Sequence, residues 1–312
     1  MRNSYVRDTV ILIIGYNRPE LISKRLVNAS SLRDRNIKLS LDFHTEETLQ
    51  LMHEVVSTHK RTIEEFNKFE VKFNKVNLGL AQHVSSAISE ALSIYENVIV
   101  IEDDIDFNLH SIASVDFGLT LMKKNPFIGS VGMYSPLNFS STLGKRNFFR
   151  YSRYFSCWGW GTNRNVWSRY QLDISKKDLS IKLPHSNVFN SMPKKLQETW
   201  LGRFNKLKSN TFHTWDVQFQ LMAFEEGFLH LVPVGTIANN EGFDDLRSTH
   251  TKGRQPFWMI NRALTFGEIS ILNESRLIQR IMELIESYTS IGIRRIPTRL
   301  INLRSLIGRK GI

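Results

Sequence analysis

Three consecutive carboxylates, Glu102-Asp103-Asp104, close an uninterrupted apolar run, Val98-Ile99-Val100-Ile101. Neighbouring like charges repel, and burial raises their pKa values further, so such a triplet at the end of a buried strand needs a compensating partner. A hard divalent cation is one. Mg²⁺ or Mn²⁺ takes oxygen ligands, commonly one or two carboxylates completed by phosphate oxygens. In a site of that kind one carboxylate binds the metal and another a ribose, and Asp104 is the expected direct metal ligand. The competing reading is a solvated acidic loop in which Asp103 and Asp104 cap a following helix and favour its dipole. Placement at the end of an apolar strand, about a hundred residues into an alternating pattern, favours the metal. Asp106, two residues on, is the weaker ligand candidate.

The elements that must position the triplet come from hydrophobic periodicity. Thr9–Gly15 is a continuous β-branched run and reads as a buried parallel strand. Pro19 suits the first turn of a helix reaching about Ala29. A second strand is expected over Lys38–Phe43, a helix over Glu46–Phe66, a short strand over Glu70–Phe73, a helix over Ala81–Tyr95 and a fourth strand over Asn97–Ile101. Beyond the triplet, Ser111–Lys124 is expected as a helix and Ile128–Met133 as a strand. Phe219–Glu225 is expected to be helical and Phe228–Val234 a strand. Strands alternating with helices imply an α/β fold, a mostly parallel sheet with helices on both faces. Ligands of such sheets bind beyond the carboxyl ends of the strands. Asn17, Asp42 and the triplet each fall at or just past such an end, so separate segments deliver polar groups to one edge.

Other residues carry weaker signals. Trp215-Asp216 precedes Val217, Phe219, Leu221 and Met222, and Asp216 is either a helix cap or a base for deprotonating a hydroxyl. Ser156-Cys157-Trp158-Gly159-Trp160-Gly161 packs two Trp and two Gly into six residues. Gly permits close backbone approach and Trp faces stack on sugars or bases, whereas the bland alternative is a packed turn. For Trp158 the two readings stand level, and Trp160 is taken as structural. Asn77 and Gly79 open a helix whose N-terminus could receive a phosphate or a sugar hydroxyl. His83 beside them reads as a satisfied polar residue. His250, with Arg247 and Lys252 near it, could complete a metal shell or hold a diphosphate.

Composition narrows the class. Of 312 residues 41% are hydrophobic, enough for a core rather than a disordered chain. A single cysteine, Cys157, excludes an internal disulfide framework, suits a reducing compartment and reads as a structural thiol. The net charge of +11 attracts phosphates. Arg294, Arg295, Arg299, Arg304, Arg309 and Lys310 put an acid-free basic stretch at the C-terminus, amphipathic enough for a helix lying on anionic lipid or simply packing. No apolar run reaches spanning length and no signal peptide is legible, so a cytoplasmic protein, possibly peripheral on the inner face of the membrane, is expected.

Taken together, these motifs resemble glycosyltransferases of the GT-A fold, and more narrowly relatives of the N-acetylglucosaminyltransferase that initiates hybrid N-glycans. The resemblance rests on Val98–Asp104, on Phe155–Trp160 with Trp167, on Trp215-Asp216, on His250 and on Asn17-Arg18-Pro19 at the first turn. It spans roughly residues 9 to 254. It implies a nucleotide-diphosphate sugar donor, a UDP-sugar first among the candidates, and Mn²⁺ or Mg²⁺ as cofactor. Asn17, Arg18, Asp42, Asn77, Gly79, Glu102, Asp103, Trp158 and Gly159 would contact the donor. Asp104 and His250 would hold the metal, and Asp216 would be the base of an inverting transfer of a hexosyl or N-acetylhexosaminyl group.

The resulting expectation is one GT-A-like domain over residues 1–268, with a nucleotide-sugar-binding half (1–134) and an acceptor-binding half (135–268), followed by a basic helical tail over 269–312. The acceptor is expected to be a glycan or lipid-linked hydroxyl, as in bacterial surface polysaccharide synthesis, with no nucleic-acid partner. Three rivals remain at this level. A sugar nucleotidyltransferase would want a glycine-rich loop after the first strand, where Tyr16-Asn17-Arg18-Pro19 stands. A nucleic-acid-binding protein would spread basic and aromatic residues over a surface. A catalytically inactive glycan-binding relative would share every motif.

Overall fold

The computed structural model describes residues 8–135, 147–209, 213–244, 247, 269–271, 283, 286 and 287. Its first part follows the alternation expected: β1 (Thr9–Gly15), α1 (Pro19–Ser30), β2 (Asn36–Leu41), α2 (Glu46–Glu64), β3 (Lys68–Phe73), α3 (Leu80–Ile94) and β4 (Asn97–Glu102). Each boundary has a local cause. Pro19 enters α1 with its φ already set. Thr45 caps α2, accepting from the Thr48 N–H at 3.1 Å. Gly79 precedes α3 at φ +75°, a conformation that costs a residue with a Cβ. The second strand lies two residues earlier than expected, which puts Asp42 immediately past its end.

β5 (Ile105–Asp106), α4 (Leu109–Lys124), β6 (Ile128–Gly132), β7 (Asn147–Ser152) and β8 (Trp160–Asn163) follow. A helical stretch comes next: α5 (Arg164–Trp167), α6 (Leu179–Lys182), α7 (Asn187–Asn190) and α8 (Lys194–Lys208). Then come α9 (Asp216–Glu226), β9 (Leu229–Pro233), β10 (Asn239–Asn240) and β11 (Ile269–Ile271). The sheet has nine strands in the order β11-β7-β9-β6-β8-β4-β1-β2-β3. β3, β2, β1 and β4 are parallel neighbours, as are β6 with β9 and β7 with β11, while β8 runs antiparallel to β4 and β6, and β7 to β9.

The chain runs outward from β1 to β3 and then crosses back to β4 beside β1. Right-handed crossovers therefore put α3 on the face opposite α1 and α2. The reversal makes the gap between β1 and β4 the topological switch point. β1, β2 and β4 are buried along nearly their whole length; β1 and β4 are accordingly continuous apolar runs, while β2 alternates and buries Lys38 and Ser40 against Glu90 and His83. A second, smaller core gathers Trp200, Phe204, Phe224, Tyr154 and Leu196 beneath α8 and α9. No helix among the described residues is long and apolar enough to cross a membrane. Apart from β11 and residues 283, 286 and 287, the C-terminal tail expected over 269–312 lies outside the described residues.

Candidate active site

Strand register brings the functional residues to one edge. Gly15 pairs with Leu41, and Ile14 with Glu102, so β1, β2 and β4 end level with one another. Val100 pairs with Trp160 on antiparallel β8, which sets Trp158 and Gly159 at the same edge as the triplet. The turns just past these ends therefore meet without any side chain having to reach far.

Arg18, the residue before α1, lies across the triplet. Its Nε donates to Asp103 Oδ2 at 3.1 Å, its Nη2 pairs with Asp103 Oδ1, and its Nη1 is 3.5 Å from Asp104 Oδ2. One guanidinium thus faces two carboxylates, and Glu102 stands next to them. Burial, then the charges of Asp104, Asp103 and Asp216, push the Glu102 carboxyl well above its ordinary range. Burial lifts Asp103 to about 6 although Arg18 opposes it, and burial likewise raises Asp104 against the pull of Arg18 and Arg25. Asp104 Oδ1 is buried and has no hydrogen-bond partner among the described residues. The site is short of positive charge and holds one carboxylate oxygen with nothing to accept from.

Asp216 begins α9, and Thr214 Oγ1 donates to its Oδ1. Its charge is felt at Glu102, Cys157 and Tyr170, so it lies within electrostatic reach of the triplet. The half-buried Cys157 thiol feels both: burial raises its pKa, followed by the charges of Asp216, Glu102 and Asp104. That environment opposes a thiolate nucleophile, in keeping with a structural thiol.

The remaining expected residues fall into distinct groups. Asp42 accepts from the Leu78 and Gly79 N–H groups, each at 3.1 Å, and from Asn74 Nδ2 at 3.0 Å. It therefore shapes the turn before α3. In that turn Asn77 Oδ1 accepts from Gly79 N at 2.8 Å while its Nδ2 donates to the Tyr16 hydroxyl at 2.9 Å. Gly159 has φ +69°, and a Cβ there would come within 2.6 Å of Met133 Sδ, so both conformation and space demand glycine. Trp158 is partly buried and meets Tyr134 and Phe243 edge-on, whereas Trp160 is wholly buried and stacks on Trp215. His83 is buried and shares a hydrogen bond with Ser40 Oγ at 3.0 Å. Asn17 sits in the β1–α1 turn, its carbonyl accepting from Arg247 Nη1 at 3.3 Å. His250 lies outside the described residues.

Two features escaped the sequence reading. Tyr16 and His44 stack at 5.0 Å between ring centroids, an aromatic ledge beside Asp42 at the ends of β1 and β2. Tyr16 could have been found from its place one residue past the strand; His44 gave no periodic signal. The helical region before α9 also exposes Lys194, Lys195 and Lys206 on α8.

Among the described residues no group of three or more His, Cys, Asp or Glu side chains is arranged to hold a metal ion alone. A Mg²⁺ or Mn²⁺ that takes one or two carboxylates and completes its shell with phosphate and water needs no such group, and the unpartnered Asp104 Oδ1 fits that mode.

No protein-family model matches the chain, and no curated protein matches it in sequence. Among solved structures, the mannosyltransferase PcManGT from Pyrobaculum calidifontis, in complex with GDP-Man and Mn²⁺, is similar over 70% of this chain and 69% of its own, at 13% identity and a TM-score of 0.40. TarS of S. aureus is similar over 40% of this chain and 21% of its own, at 13% identity and a TM-score of 0.29. Likenesses of this size assign no activity to this chain.

Proposed function

We propose that the chain is a metal-dependent glycosyltransferase of the GT-A type, taking a nucleotide-diphosphate sugar as donor and a hydroxyl as acceptor. One observation carries the reading. A carboxylate cluster at the topological switch point has more negative charge than Arg18 offsets, contains an unpartnered buried oxygen on Asp104, and feels the charge of a further carboxylate, Asp216.

The roles follow from position. Asp104 would hold Mn²⁺ or Mg²⁺, which supplies positive charge to the diphosphate leaving group. Asp103 and Glu102 stand where a ribose would meet the end of β4. Arg18 can donate to the diphosphate as it now donates to Asp103. Asp42 acts on the donor through the Asn77–Gly79 turn that it shapes, and the Tyr16–His44 ledge offers a nucleobase a flat apolar face. Asp216 accepts the proton of the acceptor hydroxyl. The acceptor oxygen bonds to the anomeric carbon, the carbon–phosphate-oxygen bond breaks, and its electron pair leaves with the nucleoside diphosphate. Attack from the side opposite the leaving group inverts the anomeric centre. A UDP-sugar donor, a hexosyl or N-acetylhexosaminyl group and a glycan or lipid-linked acceptor at the inner membrane face complete the proposal.

Titration calorimetry with UDP, GDP and their sugars, with and without Mn²⁺, tests the class. Metal-dependent binding of one nucleotide, lost in Asp104→Ala, is the expected result. Absence of nucleotide binding at any metal concentration would overturn it.

A further inference from the structure

Arg25 lies on the inward stripe of α1, among Ile22, Leu26 and Ala29, and is only 1% exposed. An arginine on the apolar face of a helix is costly unless it is paired and hydrogen-bonded. Its partners are specific. Nη2 donates to Glu241 Oε2 at 2.8 Å and is 3.5 Å from Asp106 Oδ1. Lys24 reaches the same Glu241 at 3.3 Å, and Asn28 Nδ2 donates to Asp106 Oδ1 at 2.8 Å. Successive turns of α1 therefore hold both acids.

Those acids belong to the backbone that carries Asp104. β5 begins one residue after Asp104 and pairs antiparallel with β10, Ile105 against Asn240 and Asp106 against Asn239. Glu241 continues from β10, and its N–H donates to the Asp104 carbonyl at 2.8 Å. The peptide unit that follows Asp104 is thus clamped by this small ribbon, and Arg25 bolts the ribbon to α1. The same helix carries Arg18 at its entry. One rigid element sets the spacing between the carboxylate and the arginine that faces it.

We propose that Arg25, acting through Glu241 and Asp106, is a positioning residue for the cation-and-diphosphate site: it fixes the main chain of Asp104 so that its carboxylate meets a divalent cation in one geometry. This rests on the reading of Asp104 as a metal ligand. Residues that orient a ligand from behind typically change metal affinity by about 10- to 100-fold when lost.

The test uses the full chain and Mn²⁺ with UDP as probes. Mn²⁺ affinity in the presence of UDP is measured by calorimetry and by the free-Mn²⁺ paramagnetic resonance signal, alongside UDP binding without metal and thermal unfolding. Arg25→Met should weaken Mn²⁺ binding by about tenfold or more, Glu241→Gln by a smaller factor, and Arg25→Lys should recover part of the loss, with metal-free UDP binding unchanged. Folded Arg25→Met and Glu241→Gln proteins that bind Mn²⁺ within about twofold of the parent, while Asp104→Ala does not bind it, would overturn the positioning role alone. Should Arg25→Met fail to fold, Glu241→Gln and Asp106→Asn decide by the same criterion. Full Mn²⁺-dependent binding by Asp104→Ala would overturn both this role and the metal-site reading beneath it.

Discussion

Two buried ion clusters in this protein are built to opposite rules. Arg150 on β7 meets Glu286 one for one, both 4% exposed, and Ser152 Oγ donates to the second carboxylate oxygen at 2.9 Å. Charge is balanced there and both carboxylate oxygens of Glu286 have a donor, as a buried pair requires if it is only to hold the fold. At the switch point Arg18 answers Asp103 and Asp104 together, Glu102 stands unneutralised, and Asp104 Oδ1 lacks a partner. The difference identifies which cluster is prepared to receive something. A balanced pair gains nothing from a bound cation, whereas a surplus of carboxylates gains a great deal.

Breaking each cluster should therefore have opposite consequences. Asp104→Asn is expected to remove transfer activity and metal-dependent nucleotide binding while the unfolding midpoint holds or rises. Glu286→Gln should leave nucleotide affinity unchanged but lose roughly 3–5 kcal/mol of stability, because Arg150 is left buried without its counter-charge. Parallel denaturant titration and calorimetry read both, and loss of stability in the first variant or of binding in the second would collapse the contrast. Asp216→Asn sharpens it from the acceptor side. Its kcat should fall by about 10²–10⁴ with donor affinity retained, as for a general base that touches only the acceptor.

These contrasts also mark how far the sequence could be read. β1 and β4 were legible because strands buried on both faces must be continuous apolar runs, and Gly15, Leu41 and Glu102 end level because parallel strands in register do. The polar groups at one edge and the structural role of Trp160 followed from type and position. What stayed hidden depends on long-range pairing. Nothing around Arg25 distinguishes it from Lys24 beside it until the chain returns with Glu241, more than two hundred positions later. Arg18 had been assigned to the donor; that it rests on Asp103 in the free protein is a property of two loops meeting. The helices α5, α6 and α7 are four residues each, so periodicity had too little length to show.

His230 represents a third way of burying an ionisable group, keeping it neutral. It is 1% exposed, shares a hydrogen bond with Ser130 Oγ at 2.7 Å, packs near Phe155 and Phe219, and burial lowers its pKa to about 3. Above pH 6.5 the ring is neutral folded or unfolded and contributes no pH dependence. Below 6.5 the unfolded chain takes up a proton that the folded ring refuses, so stability falls until about pH 3. The loss at pH 5 should be on the order of 2 kcal/mol. Comparing His230→Asn with the parent by denaturant unfolding at pH 7.5 and pH 5 isolates this term. An acid-induced loss equal in both proteins would show that the histidine does not carry it.

The smallest effect tests the contrast at its centre. Glu102 is half-buried beside Asp103 and Asp104 and feels the charge of Asp216, so its ionised form is penalised in the folded chain and not in the unfolded one. The sign follows directly. A carboxyl whose folded pKa is raised costs stability that grows as pH climbs above 4.5, the value in the unfolded chain. Glu102→Gln removes that cost while keeping shape, and should raise the melting temperature by about 2–4 °C at pH 7.5. The gain should shrink as pH is lowered toward 4.5. Donor affinity should fall in the same variant, since the charge that destabilises the fold is the charge a cation and a ribose would use. Saturating Mn²⁺ and UDP should then stabilise the parent more than the variant. A variant no more stable than the parent at pH 7.5 would mean that the triplet is already relieved without a ligand, and would remove the distinction between the two ion clusters.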